Sequence, residues 1–414
     1  MKTKKRTFSV TVFCVLIISE AFAGGPAYSR FGIGNLSSFS GSRSYAMGGT
    51  AAALIGDGFI NRMNPAGLAR IAYTRLSGTF EYSNYSSTDK SGTAQFARGD
   101  FGAIAIAIPI SAEYGITLSG EVSPYSTVNY AMSRDDVQIG IASHQEFFGK
   151  GGITQLSFGS SVSVTDQIHL GLKFNYLAGR IRHTTTLSFA DASYQNSDLD
   201  RNSHYAGSTF TLGGIYQGFA DLFSNETLRP LSLGFVVTTP AALDLREEQF
   251  TTTGSAFDTT SIRYGTADIP LSIALGVSYV LSERYLVAAD IALQDWSAAK
   301  SFGSHPEELR NSLRIATGIE IIPRKNADTY LGRTIYRAGF SYNSTYYKVA
   351  NQGIDALFLT LGLGLPIGAE SRLNLGFQVG INGTTDNGLQ KDTIFRVTAS
   401  VSASEMWFLK YEED

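Results

Sequence analysis

The chain has 414 residues, enough for one large domain or several ordinary ones. Charged residues make up only 17% while Gly (43), Tyr (21) and Phe (26) are abundant, and the net charge is −3. That balance excludes a disordered chain, which needs low hydrophobicity and high charge, and it leaves no basic excess for a nucleic-acid partner.

At the N-terminus, Lys2, Lys4, Lys5 and Arg6 precede an apolar run from Phe8 to Ser19, too short to span a bilayer. Ala21-Phe22-Ala23 then offers small residues where a signal peptidase cuts. The pattern predicts a secretory signal over residues 1–23 rather than a buried N-terminal helix. Cys14, the only cysteine, lies inside it, so the exported chain is expected to lack disulfides, a thiol nucleophile and cysteine metal sites. With no transmembrane helix legible further on, an exported chain of this kind is periplasmic, secreted or an outer-membrane barrel.

Residues 24–71 are rich in Gly, Ala and Ser, with Gly48-Gly49, Ala51-Ala52-Ala53 and Gly56-Asp57-Gly58, and no strand of ten fits there. After residue 70 the pattern changes to period two. Leu271, Ile273, Leu275, Val277, Tyr279 and Leu281 alternate with small or polar residues, and so do Leu373, Leu375, Phe377, Val379 and Ile381. This is the mark of strands with unlike faces. Fourteen are predicted, near 72–83, 94–109, 114–130, 152–165, 167–183, 207–217, 230–240, 270–281, 284–295, 311–322, 334–343, 354–366, 371–381 and 392–403. Residues 241–269 would lengthen the seventh and eighth. Many reach ten residues, the length of a tilted membrane strand.

The connections alternate too. Those after even strands are mostly short, and those after odd strands (84–93, 131–151, 184–206, 241–269, 296–310, 344–353 and 382–391) are long and polar. Two connections after even strands, 218–229 and 323–333, break the rule by being long. Alternating short and long turns with long strands predicts an all-β fold: a transmembrane antiparallel up-and-down β-barrel of about fourteen strands over residues 72–414. A secreted β-sandwich would show shorter strands and no such asymmetry. An even count places both barrel ends on the periplasmic side. By parity Arg75, Glu81, Lys173, Asp290, Gln294, Arg314, Glu320, Arg337, Arg372 and Arg396 point inward and the Leu, Ile, Val and Phe positions face lipid. Tyr336, Tyr342, Trp296 and Trp407 are the candidates for an interfacial aromatic girdle. Residues 24–71 would then be a plug in a lumen too wide for side chains alone, or a periplasmic tail.

Three motifs carry a family resemblance: Tyr28-Ser29-Arg30-Phe31-Gly32-Ile33-Gly34, Ala46-Met47-Gly48-Gly49-Thr50, and Asn64-Pro65-Ala66-Gly67-Leu68-Ala69. In this order, before the first long strand, they resemble the N-terminal hatch of the FadL-like outer-membrane transport family. Ala288-Ala289-Asp290 leading to Trp296 is similar to a strand of the same proteins, whereas the charged ending Lys410-Tyr411-Glu412-Glu413-Asp414 departs from the terminal aromatic of many barrels. The resemblance implies a hatch inside the barrel, tied by Asn64, Pro65 and Ala66, and an outer-membrane location. It also implies passive uptake of hydrophobic small molecules such as long-chain fatty acids. The family's third strand kinks inward and opens the wall sideways. Here that strand reads Gly120, Glu121, Val122, Ser123, Pro124, Tyr125. Pro124 lacks a ladder donor, so the kink is carried to Gly120, Ser123, Pro124 and Tyr125. Some relatives of this architecture are accessory subunits in protein export or surface attachment. In that alternative the long external loops 184–206 and 241–269 would dock protein partners.

Nothing in the sequence suggests an enzyme. His144, His169, His183, His204 and His305 are scattered without metal-ligand spacing, and there is no nucleophile elbow or nucleotide loop. No catalytic residue, metal or cofactor is expected. The expected partners are membrane lipids and a hydrophobic small molecule.

Overall fold

The computed structural model describes residues 25–405 except 38–40, 139–140, 192, 255, 324–326 and 369. The predicted signal segment, the girdle candidate Trp407 and the charged ending lie outside the described residues.

The chain after residue 73 forms a closed barrel of fourteen antiparallel strands. They are β1 (Thr74–Asp89), β2 (Gly92–Ser111), β3 (Ile116–Gln138), β4 (Ile141–Ser163), β5 (Ile168–Phe189) and β6 (Ser197–Tyr216). Next come β7 (Leu231–Thr238, resumed as Ala241–Thr253) and β8 (Ala256–Ile269, resumed as Ser272–Leu281). The last six are β9 (Tyr285–Gln294), β10 (Ser312–Ile321), β11 (Ile335–Val349), β12 (Gln352–Pro366), β13 (Arg372–Gly383) and β14 (Lys391–Glu405). β14 closes on β1 from Lys391↔Thr88 to Glu405↔Thr74. The breaks in β7 and β8 fall at Pro240 and Pro270, which have no N–H to give to a ladder. Residues 241–269 lengthen the seventh and eighth strands, as their sequence suggests.

Several predicted external loops are strands instead. β1 and β2 are joined by Lys90–Ser91 alone, and β11 and β12 by Ala350–Asn351, both of positive φ. β3 and β4 each run 23 residues and β5 runs 22, about twice what a bilayer requires. The sequence concealed this because strand beyond the membrane is solvated on both sides. It lacks a continuous apolar face and so a sustained period-two signal, and is marked instead by β-favouring Thr such as Thr184–Thr186 and Thr251–Thr253. The result is a sheet arm standing beyond the lipid belt on the side of β3 to β8. The two rule-breaking connections at the opposite rim hold short helices: Phe219–Phe223 with the turn Glu226–Leu228, and Tyr330–Arg333.

Outward positions carry the large exposed apolar side chains, among them Phe80, Leu118, Leu212, Leu275, Leu361 and Val379. The buried polar set, including Arg75, Lys173, Asp290, Glu320 and Arg337, points into the lumen. Trp296 corrects the girdle expectation. It is 2% exposed, with its ring 4.5 Å from that of Tyr346. The connection after β9 folds back over the mouth and carries Trp296 into an apolar cluster with Tyr28, Ile33, Val128, Ile153, Leu243 and Tyr347. Tyr336 does face outward, beside Ile321 and Leu363.

Candidate functional site

The Asn-Pro-Ala triplet caps a single turn of 3-10 helix, Pro65–Leu68. Asn64 Oδ1 accepts from the Ala66 amide at 3.0 Å, and Pro65 occupies the first helical position, where a missing N–H costs nothing. The other half of the Asn64 carboxamide donates to Ala52 O at 2.6 Å and to two wall carbonyls, Gly214 O at 3.2 Å and Phe235 O at 3.3 Å. Asn64 therefore joins two parts of the N-terminal segment to β6 and β7. Asn61 adds a second clasp, donating to Ala51 O and Leu54 O, both at 2.8 Å.

The same segment is held by charge. Asp290 Oδ2 accepts from the amides of Ala51 at 2.6 Å and Ala52 at 2.9 Å. Arg43 meets Glu320 through two contacts of 2.7 Å, and Glu320 also meets Arg337 at 2.7 Å. Arg62 meets Glu121 at 2.7 Å, while Lys173 Nζ donates to Arg62 O at 2.7 Å. Arg314 donates to Gly49 O. Buried charges persist only when paired, and here wall and segment supply the partners for each other.

Wall glycines make room for this contact. They come in cross-strand pairs: Gly171↔Gly213, Gly234↔Gly276, Gly318↔Gly339 and Gly362↔Gly376. A Cβ would meet Pro65 at Gly171, Asn64 at Gly213, Ala52 at Gly234 and Gly276, Met47 at Gly318 and Gly339, Ala46 at Gly362 and Tyr45 at Gly376. Sequence reasoning missed Arg43, Asn61 and Arg62. The signal was the repeated inward glycine, which is uninformative until strand register pairs one with another.

The wall is interrupted beside this segment. The β2–β3 ladder starts at the tight turn and ends at Ile104↔Val122, although both strands run on well past it. β3 keeps its ladder to β4 as far as Gln138↔Ile141, with a register shift between Pro124 and Ser126. On its freed edge, Asn35–Leu36 pairs with Thr127 and Ser126, and the Ser37 amide donates to Tyr125 O at 2.9 Å. Of the residues singled out from sequence, Gly120 sits in regular ladder opposite Ile106 and Phe158. Ser123 Oγ donates to Glu121 at 2.7 Å. Pro124 and Tyr125 adjoin the irregularity. A lumen cavity of about 510 Å³ lies behind it, lined on one side by Arg98 and Phe101 of β2 and on the other by Pro124 and Tyr125 of β3. Its walls mix polar groups such as Gln155 and Asn175 with Tyr346 and Phe358.

Above the cavity Tyr346 is the latch. Its hydroxyl accepts from the Ile33 amide at 3.1 Å and lies 2.6 Å from Gly34 O. On the arm beyond the lipid belt, His144 bonds Asp135 at 2.7 Å, and that hydrogen bond raises its pKa above the ordinary 6.5. Among the described residues no cluster of three His, Cys, Asp or Glu could hold a metal.

A closed fourteen-strand barrel with an apolar belt and an occupied lumen defines an outer-membrane-type β-barrel with a FadL-like fold. The BamG family model matches residues 3–413, so the chain belongs to the BamG family. The structure is similar to that of a Pseudomonas aeruginosa FadL homologue, at a TM-score of 0.61 and 15% identity, over 89% of this chain and 99% of that one. It is also similar to the CymD monoaromatic hydrocarbon channel (0.60, 15%, 90% and 99%) and to the Pseudomonas putida toluene transporter TodX (0.56, 13%, 90% and 100%). At these identities the likeness is one of fold. No curated protein matches the sequence.

Proposed function

We propose that the protein sits in the outer membrane as a passive channel for hydrophobic small molecules, with an exit through the side of the barrel. The observation that carries this reading is the β2–β3 ladder, which stops at Ile104↔Val122 while the lumen cavity is lined from both flanks of the gap. A solute leaving there enters lipid without crossing the polar plug contacts beneath. Burial supplies roughly 0.8 kcal/mol per CH₂, so no covalent or energy-coupled step is needed. Pro124 keeps the gap open in this reading, because it cannot donate to β2, and Asn64 holds the plug while solute passes around it. The test is uptake of a long-chain fatty acid and of toluene by proteoliposomes carrying wild type, Pro124→Ala or Asn64→Ala. Reduced uptake in Pro124→Ala supports the lateral route, and unchanged uptake of both solutes in both variants refutes it.

A second reading, an accessory subunit that docks other proteins, is favoured by the arm. β3 and β4 run 23 residues, beyond the length a bilayer requires, and continue into a charged sheet that offers a surface to another protein. Stoichiometric co-purification of a protein partner, lost when the arm is shortened between Ser133 and Gln145, would support this reading over the first.

A further inference from the structure

The two connections that break the short-turn rule leave large apolar side chains exposed outside the barrel. We infer that the helices Phe219–Phe223 and Tyr330–Arg333 form a collar that inserts into the headgroup–acyl boundary of the periplasmic leaflet. The inference rests on the bilayer part of the reading above and not on transport.

Outward-facing tyrosines hold both helices on the lipid side of the rim. Tyr336 faces out beside Ile321 and Leu363, and its hydroxyl donates to Leu331 O at 3.2 Å. Tyr330 Oη donates to Pro366 O at 3.2 Å, pinning the same helix under β12. Tyr279 stands between outward Leu231 and Val287 and donates to Thr227 O at 2.7 Å. Tyr216, between outward Ile168 and Leu233, takes the Phe219 ring edge-on at 4.8 Å, and Phe219 stacks on Phe223 at 6.5 Å. Held in this way, the helices leave Leu222 63%, Phe223 62%, Tyr330 48% and Leu331 69% exposed.

The occupant follows from continuity. These side chains join the outward belt through Tyr216, opposite Leu233 and against Phe219, and through Tyr336, opposite Leu363 and bonded to Leu331 O, and that belt faces lipid. Amphipathic segments with apolar side chains on one face and Arg nearby settle at the bilayer boundary, and Arg229 and Arg333 close the two segments. Tyr336 and Tyr279 occupy the headgroup level, where amphipathic rings concentrate. A collar of this kind fixes how deep the barrel sits and resists its tilting.

The test exploits the place of the sole cysteine, Cys14, in the predicted signal segment, so that the exported barrel is expected to carry no competing thiol. Single variants Leu222→Cys and Leu331→Cys carry a nitroxide, with Leu361→Cys as belt control and Val137→Cys as aqueous control. The full barrel is reconstituted in phospholipid vesicles, and collisions with oxygen and with a nickel chelate are compared. The expected result is an oxygen-to-nickel ratio at 222 and 331 severalfold above that at 137 and below that at 361. Ratios at 222 and 331 equal to that at 137, with 361 still lipid-like, overturn the collar. So does shielding from both reagents in native membranes combined with water-like ratios in vesicles, which would mean that a protein covers these residues. An aqueous ratio at 361 itself would instead refute the bilayer reading.

Discussion

Gly318→Ala isolates the role of the wall glycines. A Cβ on Gly318 would lie 2.5 Å from Met47 O, 2.6 Å from Met47 Cβ and 2.8 Å from Met47 Cα. Ordinary carbon contacts need about 3.5 Å, so the segment around Met47 must retreat by about 1 Å. Met47 is fully buried among Leu54, Leu286 and Ala288, and the neighbouring Gly48 amide donates to Thr360 Oγ1 at 3.0 Å. Overpacking of this kind costs about 1–3 kcal/mol. The barrel ladder is unaffected, since alanine adopts strand geometry and Gly318 has no positive φ. The penalty therefore falls on docking of the segment, raising the population of its displaced state by about 5- to 150-fold. Hydrogen exchange followed by mass spectrometry over residues 44–54 should accelerate by that factor, with strand peptides unchanged. Gly78→Ala, where an added Cβ meets nothing within 4 Å, should match wild type. If Gly318→Ala also matches wild type, the glycine pairs do not define the seat of the segment.

The remaining predictions address the latch, the belt and the arm. Tyr346→Phe strands the Ile33 amide and the Gly34 carbonyl at a cost of about 1–3 kcal/mol. Exchange over 31–36 should quicken while 47–53 stays protected, and uniform behaviour of the two regions would contradict separate clasps. Leu359→Arg, on the lipid belt, should lower stability against denaturant by about 2–4 kcal/mol in a bilayer, whereas Asn343→Leu in the lumen should be far milder; equal losses would mean that the faces are misassigned. His144 should titrate above 6.5 by NMR, so its charged pair with Asp135 is complete below 6.5 and is lost as pH rises through the raised value. In Asp135→Asn the midpoint should fall back, and an unmoved midpoint would exclude that contact as the cause.

Period-two alternation was sufficient to read fourteen strands and their outward faces, because lipid on one side and a polar lumen on the other write unlike residues at alternate positions. Asn64, Pro65 and Ala66 were singled out by family resemblance alone; that they form a cap and a first-turn proline is a local fact the structure adds. The sheet arm was not legible, because strand solvated on both sides carries no sustained alternation. Trp296 was misjudged because one aromatic near a strand end reads the same whether its connection turns toward lipid or folds over the mouth. Arg43, Asn61 and Arg62 look like ordinary polar loop residues until the closed barrel brings Glu320 to Arg43 and the third-strand Glu121 to Arg62. Pro124 suggested an irregular third strand, whereas where the β2–β3 ladder ends depends on register with β2 and on Asn35–Leu36 taking the freed edge. Pattern and local chemistry are properties of neighbouring residues, and the sequence by itself determined those. Pairing across hundreds of residues is a property of closure, so the seat of the N-terminal segment, the gap in the wall and the outward lie of the rim helices were decided only by the tertiary structure.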